Sequence, residues 1–220
     1  MKYILSIMLI IFVAACEQAP KADKATITEA HPVKESEGSP YLVDTVNSEV
    51  QWIGTKPTGK HVGRFKLQEG KLFIKDTMVT GGNIIIKMSS LENIDLSKTD
   101  TTLQRKLENE LKGPLFFDVT KFPVATFEIT SVSDFSPSVG NEVLMKNANH
   151  TVQGNLTIKN ITKNISFPAI IKFEKGVIIA LANFNIDRTL WGMTYRADKS
   201  MQDKLINSAV NIEFRLKATR

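Results

Sequence analysis

From residue 49 onward, apolar and polar side chains trade places at nearly every step. Val50 and Trp52 alternate with Glu49 and Gln51, and Leu72 and Ile74 alternate with Lys71, Phe73 and Lys75. The alternation is cleaner in Thr126-Phe-Glu-Ile-Thr130, Val152-Gln-Gly-Asn-Leu-Thr-Ile-Lys159, Ile165-Ser-Phe167, Asn183-Phe-Asn-Ile186 and Val210-Asn-Ile-Glu-Phe-Arg-Leu-Lys217. A period of two predicts strands with one buried and one wetted face. Glu69-Gly70, Gly81-Gly82, Lys159-Asn160 and Lys175-Gly176 supply turn signals between them. About eight strands at such short spacing predict an all-β antiparallel sandwich or barrel rather than βαβ units. Closure into a barrel removes exposed strand edges, but periodicity alone leaves the two architectures open.

One segment has a different period. Leu103, Leu107 and Leu111 recur every four residues among Gln, Arg, Lys and Glu, with Asp100 or Thr99 placed to cap the start and Gly113-Pro114 to end it. This predicts one short helix over residues 100–111, laid against or across the end of the β structure.

The first forty residues read differently again. Lys2 precedes an apolar run from Tyr3 to Val13, broken by Ser6 and followed by Ala14, Ala15 and Cys16. The run is shorter than the ~20 residues a membrane-spanning helix needs, and it has the form of a secretory signal peptide over residues 1–15. Val13-Ala14-Ala15-Cys16 resembles the bacterial lipobox, which implies acylation of Cys16 and a membrane-anchored lipoprotein facing the periplasm or cell surface. The alternative is an ordinary signal peptide with an incidental thiol. Residues 17–40, with Pro20, Pro32, Gly38 and Pro40 among charged and small residues, show no apolar period and predict a flexible tether. The 180 residues from Tyr41 to Arg220 remain for a single domain.

Composition narrows the function classes. Removing Lys2 with the leader takes the 28 basic residues to 27 against 23 acidic, and they are spread rather than gathered in the basic stripe of a nucleic-acid binder. Cys16 is the only cysteine, so no intrachain disulfide forms. His31, His61 and His150 fall in no zinc-ligand motif, and no nucleophile elbow, phosphate loop or dinucleotide fingerprint is present. The expectation is a non-catalytic protein with no metal and no cofactor. Trp52, Phe65, Phe127, Phe167, Phe184 and Phe214 make an inward-facing aromatic set that fits either a ligand cavity or a filled core. Eight strands sit at the boundary between those outcomes.

Four stretches together resemble the YceI-like family of secreted bacterial proteins: His61-Val-Gly-Arg-Phe65 with Glu69-Gly70, the run from Gly113 to Phe127, Val152 to Lys163, and Phe184-Asn-Ile-Asp-Arg-Thr-Leu-Trp-Gly-Met193. The resemblance covers essentially all of Tyr41 to Ala218. Asn160 departs from the glycine usual in that turn, and asparagine tolerates the same left-handed backbone. The resemblance implies a lipocalin-like barrel whose interior binds an isoprenoid or similar amphiphilic lipid, a quinone included, for sequestration or transport in the cell envelope. Two rivals stand beside it: a packed barrel acting as an envelope stress or interaction protein, and an enzyme acting on a bound lipid. Whether the domain forms a homodimer is left open.

On that reading Trp52, Phe65, Phe127, Phe184 and Ile186 line the barrel. Arg188 offers a planar cationic fork for a phosphate or carboxylate headgroup, or else it pairs with a rim acid, stacks on Trp191 and plugs the barrel end. Trp191 offers a large apolar face to an isoprenoid chain. His61 either meets a headgroup or a quinone carbonyl, or is a solvated turn residue. Phe117, with Phe116 and Phe122, forms a lid or portal, or anchors the helix to the barrel.

Overall fold

The computed structural model describes residues 18–137, 143–197 and 205–220. Met1 to Glu17, with the signal-peptide residues and Cys16, lie outside the described residues. The strands are β1 (Asp23–Lys24), β2 (Thr26–Glu29), β3 (Ser39–Val43), β4 (Glu49–Lys56), β5 (Gly59–Lys75) and β6 (Met78–Asn93). After helix α1 (Thr101–Lys112) come β7 (Val124–Asp134), β8 (His150–Ile158), β9 (Ile161–Glu174), β10 (Val177–Asp187) and β11 (Ala209–Thr219).

Strands β4 to β11 pair in chain order, each antiparallel to the next, and β11 returns to β4. The sheet therefore closes into an eight-stranded barrel, which settles the choice against a sandwich. Strand β3 takes the place of β4 between β5 and β11 at one end of the barrel.

Local chemistry explains the joints. Asp76-Thr77, Lys159-Asn160 and Lys175-Gly176 all have positive φ, the geometry of two-residue hairpins whose twist matches the strands. Asn160, at φ 60, adopts the left-handed backbone its glycine-like position requires. Glu69-Gly70 and Gly81-Gly82, which read as turns, instead lie inside the long strands β5 and β6. The pairing slips in register near them, between Leu67 and Glu69 and between Phe73 and Ile74. Such bulges bend a long strand around the barrel without ending it. Gly70 is required there because a Cβ would stand 2.7 Å from the Val43 side chain.

Helix α1 begins where expected. Asp100 caps it by accepting from the amides of Thr102 at 3.0 Å and Leu103 at 2.9 Å. Glu108 accepts from the Asn93 amide at 2.9 Å, and Gln104 donates to the Asn93 carbonyl at 2.8 Å, so the helix is clamped across the barrel end where β6 finishes.

The segment 17–40, read as a flexible tether, is docked in its described part. Residues 23–29 pair on one side with β10, in parallel, and on the other with β9, antiparallel. The reciprocal bonds between His31 and Asn155 come next, with the His31 amide 3.0 Å from Asn155 Oδ1 and Asn155 Nδ2 2.7 Å from the His31 carbonyl. Glu37 then binds Thr80 and Lys75 on β6 and β5. Sequence reasoning missed this because backbone pairing to two strand edges needs few apolar side chains, and only Ala25 (3% exposed) is buried within 23–29.

Candidate functional site

The barrel interior is not uniform. Toward the β5–β6 and β9–β10 hairpins it is packed by residues such as Leu72, Val79, Ile129, Ile171, Ile178 and Leu216, which leave a void of only about 40 Å³. Toward the β4–β5 and β8–β9 hairpins it holds a cavity of about 340 Å³. This size lies in the range of sites that take small organic ligands.

The cavity is built from strand alternation. Trp52 on β4, Phe65 on β5, Ile84 and Ile86 on β6, Phe127 on β7, Phe167 on β9, Phe184 and Ile186 on β10 and Phe214 on β11 all face it. Two glycines seat its large rings. A Cβ at Gly63 would stand 2.2 Å from the Trp52 ring, and one at Gly154 would stand 2.3 Å from the Phe127 ring. Each ring therefore packs directly on the glycine of its neighbouring strand, in space a side chain there would take. Phe167 and Phe184 stack with centroids 4.1 Å apart, bridging β9 and β10 below the point where those strands part.

The end of the cavity is roofed by α1 and the chain that follows. Leu107 and Leu111 face the cavity, whereas Leu103 is 50% exposed. Phe116 and Phe117 also line it, and Phe117 meets Phe65 edge to face at 5.3 Å. Lys56, Thr58, Glu110 and Arg196 also line the cavity, and the first three are exposed, so these polar groups mark the mouth. The sequence reading did not single out these four or the two helical leucines. The four-residue leucine period is the signal that could have placed the helix pair.

Of the nine side chains expected at the site, the structure brings Trp52, His61, Phe65, Phe117, Phe127, Phe184, Ile186 and Arg188 to one cavity. Trp191 is outside the lining: it is 0% exposed, and its indole N–H donates to the Leu156 carbonyl at 3.0 Å. The Trp-Gly bend turns its ring into the wall, with Gly192 at φ 73. It is core rather than a face for a ligand.

Arg188 is buried at 4% exposure and spends its donors on backbone carbonyls. Nε reaches Asn207 at 3.1 Å, Nη2 reaches Tyr195 at 2.9 Å and Ile206 at 2.8 Å, and Nη1 bonds Met193. Its guanidinium also stands 5.7 Å over the Phe116 ring. Burial lowers its pKa from the ordinary value and neighbouring Asp187 opposes that shift, and a guanidinium keeps its proton regardless. The residue ties the chain after β10 to the barrel end and also lines the cavity. Its partners are carbonyls and Phe116 instead of a rim acid and Trp191.

His61 is held from outside the cavity, its Nδ1 3.0 Å from Asp95 Oδ2. Desolvation raises the Asp95 pKa, but hydrogen bonds from the Val62 amide, His61 and Asn93 outweigh it and leave the value lowered. The ring is thus oriented by a carboxylate while its cavity side faces the mouth. Trp52 Nε1 is the one buried side-chain nitrogen or oxygen without a hydrogen-bond partner among the described residues. Among the same residues no group of three or more His, Cys, Asp or Glu side chains is placed to hold a metal ion.

Comparison with known proteins gives a consistent picture. The family model for the YceI-like domain matches residues 41–218. Burkholderia cenocepacia BcnA is similar at 21% identity with a TM-score of 0.58, covering 80% of this chain and 99% of its own. A polyisoprenoid binding domain from Saccharophagus degradans, implicated in plant cell wall breakdown, is 13% identical with a TM-score of 0.57, covering 81% and 97%. A variant of the Campylobacter jejuni YceI protein is 16% identical with a TM-score of 0.51, covering 87% and 90%. At these identities the neighbours share the fold. No curated protein matches the chain.

Proposed function

The chain belongs to the YceI-like domain family, and from that premise we propose that it binds an isoprenoid or other amphiphilic lipid in the hollow half of its barrel. The apolar-lined cavity of about 340 Å³, with polar groups gathered at one mouth, is the observation that carries this reading. The chain's likeness to the polyisoprenoid binding domain from Saccharophagus degradans supports it. An apolar chain lies along Ile84, Phe127, Phe167 and Phe184, and a headgroup stays near Lys56, His61 and Arg196.

The energetics favour a carrier over a trap. Each buried methylene gains roughly 0.8 kcal/mol relative to water. A prenyl lipid already resides in a bilayer, however, so moving it into the barrel leaves the hydrophobic contribution nearly balanced. Small differences at the headgroup then decide loading or release. Transport within the cell envelope suits this balance better than sequestration, and no catalytic step is needed for it. Acylation at Cys16 would suit the same role. Six residues lie between Cys16 and Asp23, so an anchored barrel stays within about 25 Å of its bilayer.

Mass spectrometry of a solvent extract tests the proposal, using protein purified from its native envelope without detergent. A prenyl lipid or quinone near one per chain is the expected result. An empty extract, from protein that also fails to take up added prenyl alcohol, overturns it.

A further inference from the structure

The wall of the barrel has one split. Strands β9 and β10 pair from Ala169↔Ala182 to Glu174↔Val177 and not beyond. On the cavity side of that point, residues 23–29 stand between them. Asp23 and Lys24 pair with Phe184 and Asn185, and Thr26 to Glu29 pair with Ser166 to Lys163. Because this segment is parallel to β10 and antiparallel to β9, it is a ninth stave fitted into the seam. The seam fronts the cavity directly, since Ile165, Phe167, Phe184 and Ile186 line it from the two flanking strands.

The stave is held differently from the rest of the wall. It buries one apolar side chain, Ala25, with Ile27 half-buried, and Lys24, Thr26, Thr28 and Glu29 are exposed. Its other ties are polar and peripheral. The Asp23 carboxylate accepts from the amides of Leu144 at 3.0 Å and Met145 at 2.7 Å, and Glu29 pairs with Lys163 at 2.6 Å. His31 is clamped by Asn155 just beyond. A segment with little apolar burial and exposed backbone pairing opens locally at far lower cost than the strands beside it. It also lies before residue 41, outside the stretch the family model matches.

We propose that residues 23–29 are a displaceable gate strand, and that the bound apolar chain enters and leaves sideways through the β9–β10 seam when this strand undocks. The proposal rests on the lipid-binding reading of the cavity. It assigns residues 18–31 a regulatory role that the barrel alone does not have.

A disulfide across one face of the stave tests this. Thr26 and Ser166 are cross-strand partners with outward-facing positions, and such antiparallel pairs fall within disulfide reach. In a Cys16→Ser chain carrying Thr26→Cys and Ser166→Cys, dansyl-geranylgeraniol is loaded and its transfer to phosphatidylcholine vesicles is followed by fluorescence. Oxidation is expected to slow transfer at least tenfold with loading stoichiometry unchanged, and reduction to restore it. Asp23→Asn with Glu29→Gln, which weakens the ties without touching the cavity, is expected to speed transfer several-fold. Equal rates in the oxidised and reduced protein overturn the gate and leave the mouth as the route. A parent chain that takes up no probe overturns the lipid reading itself. Independently of any ligand, amides of Thr26–Glu29 are expected to exchange hydrogen at least a hundredfold faster than those of Ile170–Ile178, and equal protection also overturns the gate.

Discussion

Ile178 and Ile186 lie eight residues apart on β10 and both point into the barrel, but they meet different interiors. Ile178 is fully enclosed among Leu216, Ile171 and their neighbours, whereas Ile186 borders the cavity. Strands β5 to β11 run through both halves, with β3 completing the filled one and β4 the hollow one. The number around the circumference differs, because the N-terminal stave adds a ninth member where β9 and β10 part. Barrel diameter grows with strand number, so the half with nine staves is wider. The Trp52 and Phe127 rings take up space beside Gly63 and Gly154 that a side chain there would fill. A hollow is therefore made by the path of the wall as much as by the choice of lining.

That contrast is breakable by substitution, and the largest effect belongs to the filled half. Ile178→Ala is expected to cost about 4 kcal/mol in urea unfolding, while Ile186→Ala, opening onto space already present, costs nearer 2 kcal/mol. Equal costs would mean the cavity half is as tightly packed as the other. Arg188→Ala comes next, at roughly 2–3 kcal/mol, because it strands the carbonyls of Met193, Tyr195, Ile206 and Asn207. Arg188→Lys recovers only part of it, since an ammonium lacks the planar fork. A stability unchanged by Arg188→Ala, with altered ligand content, would return the residue to a headgroup role.

Adding volume sharpens the comparison in the other direction. Ala218 is enclosed in the filled half, and Ala218→Leu is expected to destabilise by about 2 kcal/mol through overpacking. Ala125 lines the cavity, and Ala125→Leu should stay within about 1 kcal/mol of the parent while lowering lipid uptake. The smallest effect is at the mouth. The Asp95 pKa is lowered in the folded chain, so its contribution is fully present above the unfolded carboxylate value near ~3.9 and is lost as pH falls through the lower folded value. Acid unfolding of Asp95→Asn should therefore be shallower below about pH 4, and an unchanged acid limb would remove that carboxylate from the account.

Much of the architecture was legible along the chain. Alternation located the strands, the leucine period with Asp100 located the helix, and eight of nine named side chains meet at one cavity. Trp191 went astray because a Trp at a bend looks the same in sequence whether it turns outward or into the wall. Arg188 was placed at the right end, but its partners are main-chain carbonyls, which carry no residue identity to read. Glu69-Gly70 and Gly81-Gly82 read as turns because glycine marks a bulge and a turn alike.

Local periodicity and turn chemistry act between near neighbours, and these the sequence settles alone: strands of period two, their hairpins, and an all-β class. The hollow and the seam depend on pairings between residues more than a hundred positions apart, such as Asp23 with Phe184 and Thr26 with Ser166. Backbone hydrogen bonds of that kind are indifferent to side-chain type. Residues 23–29 therefore look like a tether in one dimension and become part of the wall only where two strand edges are left to receive them.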